Sequence, residues 1–184
     1  QLPLVSQKPR FISIGRLLHW KGFHLGLKAF AKANIPDAEY WIIGDGPEAK
    51  PLQELAAQLG IAEQVKFWSK LPRDVTLQRL GECLALVHPS LHESGGWVCL
   101  EAMAAGRPVI CLDLGGPAIQ GTEETGFKIS AHTPDQVVDD LAQAMNRLAQ
   151  DPELQMRMGK AGQKRVVEVY GWETKGQFIL KLYD

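Results

Sequence analysis

CLALVHPSLHESGGWVCLEAMAAGRPVICLDL, residues 83–114, is the stretch that decides the fold. It opens on an apolar run, "CLALVHPS" (83–90), and closes on another, "PVICLDL" (108–114). Both are apolar nearly throughout, as strands buried on two faces must be. Residues 97–105 between them have helical spacing, and Gly106 with Pro108 beyond supplies a stop signal. A strand, a helix and a second strand form a crossover unit. Its two strands run parallel, and the connection is right-handed.

The same alternation extends upstream. "FISIG" (11–15), "EYWIIG" (39–44) and "QVKFW" (64–68) read as strands. Residues 22–33, 48–59 and 73–82 carry helical periodicity. The pattern predicts an α/β fold: a Rossmann-like parallel sheet flanked by helices. Downstream the alternation stops. "TPDQVVDDLAQAMNRLAQ" reads as a helix with Thr133 as N-cap and Pro134 at its first position. "DPELQMRMGKAGQKRVVEVY" opens the same way, and "WETKGQFILKLYD" suggests a third helix. This C-terminal helical tail is expected to pack along one edge or reach toward a missing partner. No internal repeat or low-complexity tract interrupts the chain.

With 184 residues there is material for one packed domain, expected over residues 11–184. Residues 1–10, "QLPLVSQKPR", have no signal-peptide core and read as a linker from a missing N-terminal domain. A net charge of −1 gives no global case for nucleic acid or an anionic membrane, so any anion site must be local. Cys83, Cys99 and Cys111 are an odd, widely spaced set. They suggest neither a disulfide framework nor a zinc site, and they fit a reducing, cytoplasmic compartment. No acidic cluster reads as a metal site, and no apolar run is long enough to span a membrane.

In open parallel sheets, ligands bind beyond the carboxyl ends of the strands. Glycines gather at those ends: Gly15, Gly44 with Gly46, the pair Gly95–Gly96, and a further pair in "LGGPAI". Glycine lets backbone approach a ligand closely, and a helix N-terminus offers amides to an anion. Arg16 and Lys21 add cations beside the first turn. The set describes a phosphate or diphosphate site. Turn glycines and solvated surface charges would explain the same residues one at a time. Neither the G-x-G-x-x-G fingerprint nor a P-loop motif is present.

Glu93 lies in the loop before the 97–105 helix, and Glu101 lies over one turn inside it. Pointed at an anion, a carboxylate is electrostatically wrong. Placed beside one, it can accept hydrogen bonds from ribose or sugar hydroxyls. The other reading makes Glu101 an exposed helix residue and Glu93 a carboxylate favoured by the helix dipole. The residues alone leave both standing.

"GRLLHWKG", "IIGDGP", "HPSLHESGGWVCLEAMAAGRPVI" and "LGG" follow one another in an order that resembles retaining glycosyltransferases of family 4, whose architecture is the two-Rossmann-domain GT-B fold. The Glu-x7-Glu spacing of Glu93 and Glu101 is similar to that family's hallmark. The tail resembles its C-terminal helices, so the likeness covers essentially the whole chain. It implies the C-terminal, donor-binding half of such an enzyme, with the acceptor-binding half missing. It further implies that Arg16 and Lys21 grip the donor diphosphate and Glu101 takes the ribose. Glu93 would meet the transferred sugar while the backbone at Gly95 and Gly96 closes on sugar and phosphate. Gly44–Pro47 and Trp68–Pro72 would lie near the base. The donor would be a nucleoside-diphosphate sugar, with no metal and no further cofactor. The complete protein would be cytoplasmic or peripheral on the inner face of a membrane, in polysaccharide or glycoconjugate synthesis.

Two positions depart from the family pattern. Gly95 stands where an aromatic residue is usual, and Ile119 where a glutamate is usual, with Pro117 removing an amide nearby. They leave the donor's identity open. A sugar-nucleotide 2-epimerase half-domain and a nucleotide-binding module without catalysis are the competing functions.

Overall fold

The computed structural model describes residues 8–183, with side chains as far as Leu180. Six parallel strands form its sheet: β1 (Arg10–Ile14), β2 (Glu39–Ile43), β3 (Val65–Trp68), β4 (Ala85–His88), β5 (Val109–Leu112) and β6 (Gly126–Ile129). Their spatial order is β3-β2-β1-β4-β5-β6. This is the doubly wound arrangement, whose direction of winding reverses between β1 and β4. The helices are α1 (Phe23–Ala33), α2 (Ala49–Gln58), α3 (Arg73–Gly81), α4 (Trp97–Ala104), α5 (Gly115–Gln120), α6 (Pro134–Gln150), α7 (Pro152–Arg165) and α8 (Trp172–Tyr183).

Residues 1–7 of the expected linker lie outside the described residues. Arg10, placed by the sequence reading at the linker's end, is instead the first residue of β1. There its Nε donates to Glu39 Oε2 at 2.9 Å across the β1–β2 pair.

Strand periodicity separates two cores. Phe11, Tyr40, Ile42, Ala85, Val87 and Ile110 face one side, packed with buried residues of α1, α2 and α6. The residues between them, including Ile12, Trp41, Ile43, Leu86 and Val109, face the other side with Leu80, Cys99, Ala102 and Met103. Each fully buried aliphatic side chain contributes about 1.5–3 kcal/mol, and slipping any central strand by one residue would exchange its side chains between the two cores and mispack both.

The tail does not line one edge. Helix α6 lies against α1, where Asn146 Nδ2 donates to the Ala33 carbonyl at 3.1 Å. Helix α7 packs on α4, across the sheet. Thr133 caps α6 as expected, accepting from the Gln136 amide at 3.2 Å, and Asp151 caps α7 through the Leu154 amide at 2.8 Å. A wide π-type turn, Val166–Tyr170, separates α7 from α8. The sixth strand and the short α5 were not anticipated from the sequence.

Candidate functional site

Three loops leave the carboxyl edge at or beside the reversal point: those after β1, β4 and β5. The first runs from Gly15 through a 3₁₀ turn, His19–Lys21, to Gly22. It is pinned to its neighbours at both ends. Leu17 N donates to Asp45 O at 2.8 Å, and Leu91 N donates to Trp20 O at 2.8 Å. Gly116 N donates to Glu93 O at 3.1 Å, tying the β5 exit to the β4 exit. Gln120, from α5, donates through Nε2 to the Gly95 carbonyl.

Around this frame the expected residues fall into three groups. Gly15, Arg16, Gly44 and Gly46 line a cavity of about 520 Å³ beyond β1 and β2. Lys70 and Leu71, from the segment expected near the base, lie on its wall with Thr76. Arg16 is exposed, and among the described residues its side chain has no hydrogen bond or ion pair. Its charge is therefore uncommitted.

Lys21, Glu93, Gly95 and Gly96 form the second group. Lys21 donates through Nζ to Glu93 Oε2. The other carboxylate oxygen, Oε1, accepts from the amides of Gly95 (3.4 Å) and Gly96 (3.2 Å). Burial by itself would raise the Glu93 carboxyl, but the Lys21 hydrogen bond and the Gly96 amide outweigh it and hold the group below the usual carboxylate range. Glu93 is thus an anion shared between a cation and its own loop. Gly96 opens α4 at φ +58°, and an added Cβ would come 2.9 Å from Pro117 Cγ. Only glycine fits both that backbone conformation and that gap. Arg16 and Lys21, paired in the sequence reading, share the loop after β1 but have different surroundings: Arg16 borders the cavity, and Lys21 reaches across to Glu93 on the β4 exit loop.

Glu101 forms the third group. It is neither a free helix residue nor an open carboxylate: Arg73 Nη2, at the start of α3, sits 2.7 Å from its Oε1. Arg73 is well exposed, so this pair contributes little to stability and is easily opened. Of the two departures, Gly95 lies beside the Trp97 side chain, where an added Cβ would be 3.3 Å from Nε1. Ile119 is exposed on α5, and its carbonyl accepts from Arg165 Nη2 at 3.1 Å.

The sequence reading missed His88. It closes β4, is only 6% exposed, and sets Nε2 3.6 Å from Glu93 Oε2. Burial, opposed by Glu93 and reinforced by Lys21, pushes its pKa down to about 4. His24 is lowered too, by burial and by His19 and Lys28. The signal in the sequence was a lone histidine ending an otherwise apolar strand. Groups whose folded pKa is depressed in this way leave the unfolded chain holding more protons below about pH 6.5. Stability therefore falls as pH drops from there toward 4. We expect the chain to lose roughly 2 kcal/mol between pH 7 and 5 through His88, and His88→Asn to remove that part of the slope. Urea denaturation at both pH values checks this; equal slopes for the two proteins would contradict it.

Among the described residues no cluster of three or more His, Cys, Asp or Glu side chains could hold a metal ion, and no helix is long and apolar enough to cross a membrane.

The family model for glycosyl transferases group 1 matches residues 1–165. D-inositol 3-phosphate glycosyltransferase of Streptomyces avermitilis is 38% identical over 138 residues, covering 73% of this chain and 29% of that protein. The lipopolysaccharide core biosynthesis glycosyltransferase LpsE of Rhizobium meliloti is 29% identical over 185 residues, covering 99% of this chain and 52% of that protein. Among solved structures, Anabaena HepE in complex with UDP and glucose superposes with a TM-score of 0.83 at 24% identity, over 96% of this chain and 48% of that one. The chain spans about half the length, or less, of these relatives.

Proposed function

The chain belongs to the glycosyl transferases group 1 family, and from that premise we propose that it is the donor-binding half of a retaining glycosyltransferase. The observation that carries this reading is the placement of Arg16 and the Lys21–Glu93 pair on adjoining loops at the point where the sheet reverses. A nucleoside-diphosphate sugar lies across that point, its nucleoside toward Gly44, Gly46, Lys70 and Leu71. Its diphosphate meets Arg16, Lys21 and the first turn of α4. Negative charge grows on the leaving diphosphate as the glycosidic bond breaks, and these preorganised positive groups stabilise it there. The carboxylate of Glu93 accepts from hydroxyls of the transferred sugar. Glu101 exchanges Arg73 for the ribose hydroxyls. The acceptor, a glycan or lipid-linked glycan, is held by a second domain, and these residues alone bind donor without efficient transfer. The similar HepE structure, with UDP and glucose bound, supports a donor of this class.

Calorimetry of the chain with uridine, guanosine and adenosine diphosphates, their glucose conjugates and the bare nucleosides tests the reading. At least one diphosphate should bind more tightly than its nucleoside, and EDTA should leave that binding unchanged. Equal affinity for nucleoside and diphosphate throughout the set would overturn it. For the best ligand, Glu101→Ala should weaken both diphosphate and conjugate by about 1–3 kcal/mol, since both carry the ribose. A loss confined to the conjugate would move Glu101 from ribose to sugar.

A further inference from the structure

His88 is buried at the carboxyl end of β4, and its Nε2 has no hydrogen-bond partner among the described residues. A buried polar atom left without a partner is costly, and native structures keep few of them. Glu93 Oε2 stands 3.6 Å away, beyond hydrogen-bond range. That oxygen accepts from Lys21 Nζ. The arrangement leaves one carboxylate oxygen facing two donors, one engaged and one waiting.

The tautomer follows from the same contact. A bare lone pair on Nε2 would face a carboxylate with nothing to donate, so the neighbouring anion selects the form with hydrogen on Nε2. The atom is sealed from solvent and cannot itself touch a ligand. Any part it plays must run through Glu93.

We propose that His88 is the positioning residue for Glu93: its Nε2–H takes over Oε2 when Lys21 turns from that oxygen to the donor diphosphate. This rests on the donor-site reading above. The exchange solves a geometric problem in that reading. In the unliganded chain Lys21 and the Gly95 and Gly96 amides hold Glu93 between them. Drawing Lys21 to a phosphate removes the hold on Oε2 at the moment the carboxylate must be in place for the sugar. His88 closes that gap from behind without neutralising the carboxylate, since a neutral imidazole donates a hydrogen bond and keeps its proton. Lys21 is thereby released to the diphosphate at lower cost.

Long-range proton–nitrogen NMR of the histidine rings in the 184-residue chain tests the proposal, with His88 assigned from the signal lost in His88→Gln. At neutral pH the wild-type ring should carry its hydrogen on Nε2. In Lys21→Met, which empties Oε2 of its cation, that proton should move downfield and exchange with water roughly tenfold more slowly. Lys21→Met combined with Glu93→Ala should abolish the slowing. A ring with its hydrogen on Nδ1, or a signal that Lys21→Met leaves unchanged, overturns the proposal. Saturating UDP on the wild-type chain should reproduce the slowing. If UDP binds and does not, the take-over on donor binding is wrong. Failure of UDP to bind would instead count against UDP as the donor's nucleotide, and Lys21→Met would still decide the part assigned to His88.

Discussion

Gly22→Ala should cost the chain about 4 kcal/mol or more, a loss found for few single substitutions. Two effects combine there. Gly22 adopts φ +68°, where an alanine is disfavoured by about 1–2 kcal/mol. Its missing Cβ would also fall on the backbone of Pro89, overlapping the carbonyl oxygen with the carbonyl carbon at 2.9 Å. That carbonyl belongs to the segment that leads from β4 to Glu93 and cannot swing aside like a side-chain tip. Gly60 separates the two effects. Its φ is +71°, and an added Cβ would meet nothing within 4 Å. Gly60→Ala should therefore cost only the conformational part, about 1–2 kcal/mol. Urea denaturation of the two variants measures the difference, and matching losses would show that the two loops can part without cost. In a Gly22→Ala chain that still folds, the loop after β1 must lift from the loop after β4. Nucleotide binding should then suffer with stability, because Lys21 directly precedes Gly22.

The central strands were legible because burial on both faces leaves almost no polar letters in "YWII", "ALVH" and "VICL". The sixth strand, "GFKI", was not. It is an edge strand of four residues with Lys128 exposed, so it has neither a continuous apolar run nor clean alternation. Helix α5 begins Gly-Gly-Pro, which reads as a turn. The strand read at 83–90 is narrower, Ala85–His88, because Cys83 still belongs to the turn that ends α3. The tail helices were visible from their caps, but their partners were not. The glycines that let α7 reach α4, such as Gly162 against Met103, carry no sign of which helix they serve.

Site residues were visible by type and position along the chain, and their pairings were not. Lys21 and Glu93 are 72 positions apart, and Arg73 and Glu101 are joined only by the packing of α3 on α4. The sequence reading treated Glu93 as either a sugar acceptor or a helix-start carboxylate. In the unliganded chain Oε1 accepts from the amides that precede α4, the kind of contact the second reading describes. The first concerns Oε2, which Lys21 occupies.

This shared oxygen sets the last expectation: Lys21→Ala should weaken diphosphate binding more than Arg16→Ala does. Arg16 starts uncommitted, so its removal deletes one charge-assisted contact, roughly tenfold in affinity. Lys21→Ala deletes a similar contact and also leaves the Glu93 carboxylate without its cation. That carboxylate is largely buried, and its charge would then repel phosphates bound as proposed beside it. Together the two effects should reach about 100-fold. Adding Glu93→Gln to Lys21→Ala removes the stranded charge while keeping an oxygen for the Gly95 and Gly96 amides. The double variant should recover about tenfold, a coupling of about 1.4 kcal/mol. Calorimetry on wild type, both single Lys21 and Glu93 variants and the double variant completes the cycle, with the bare nucleoside as the ligand that should register none of it. If Lys21 and Glu93 act independently, the losses will simply add. The ion pair would then be a surface contact that happens to lie beside the site rather than the part of it that donor binding must open.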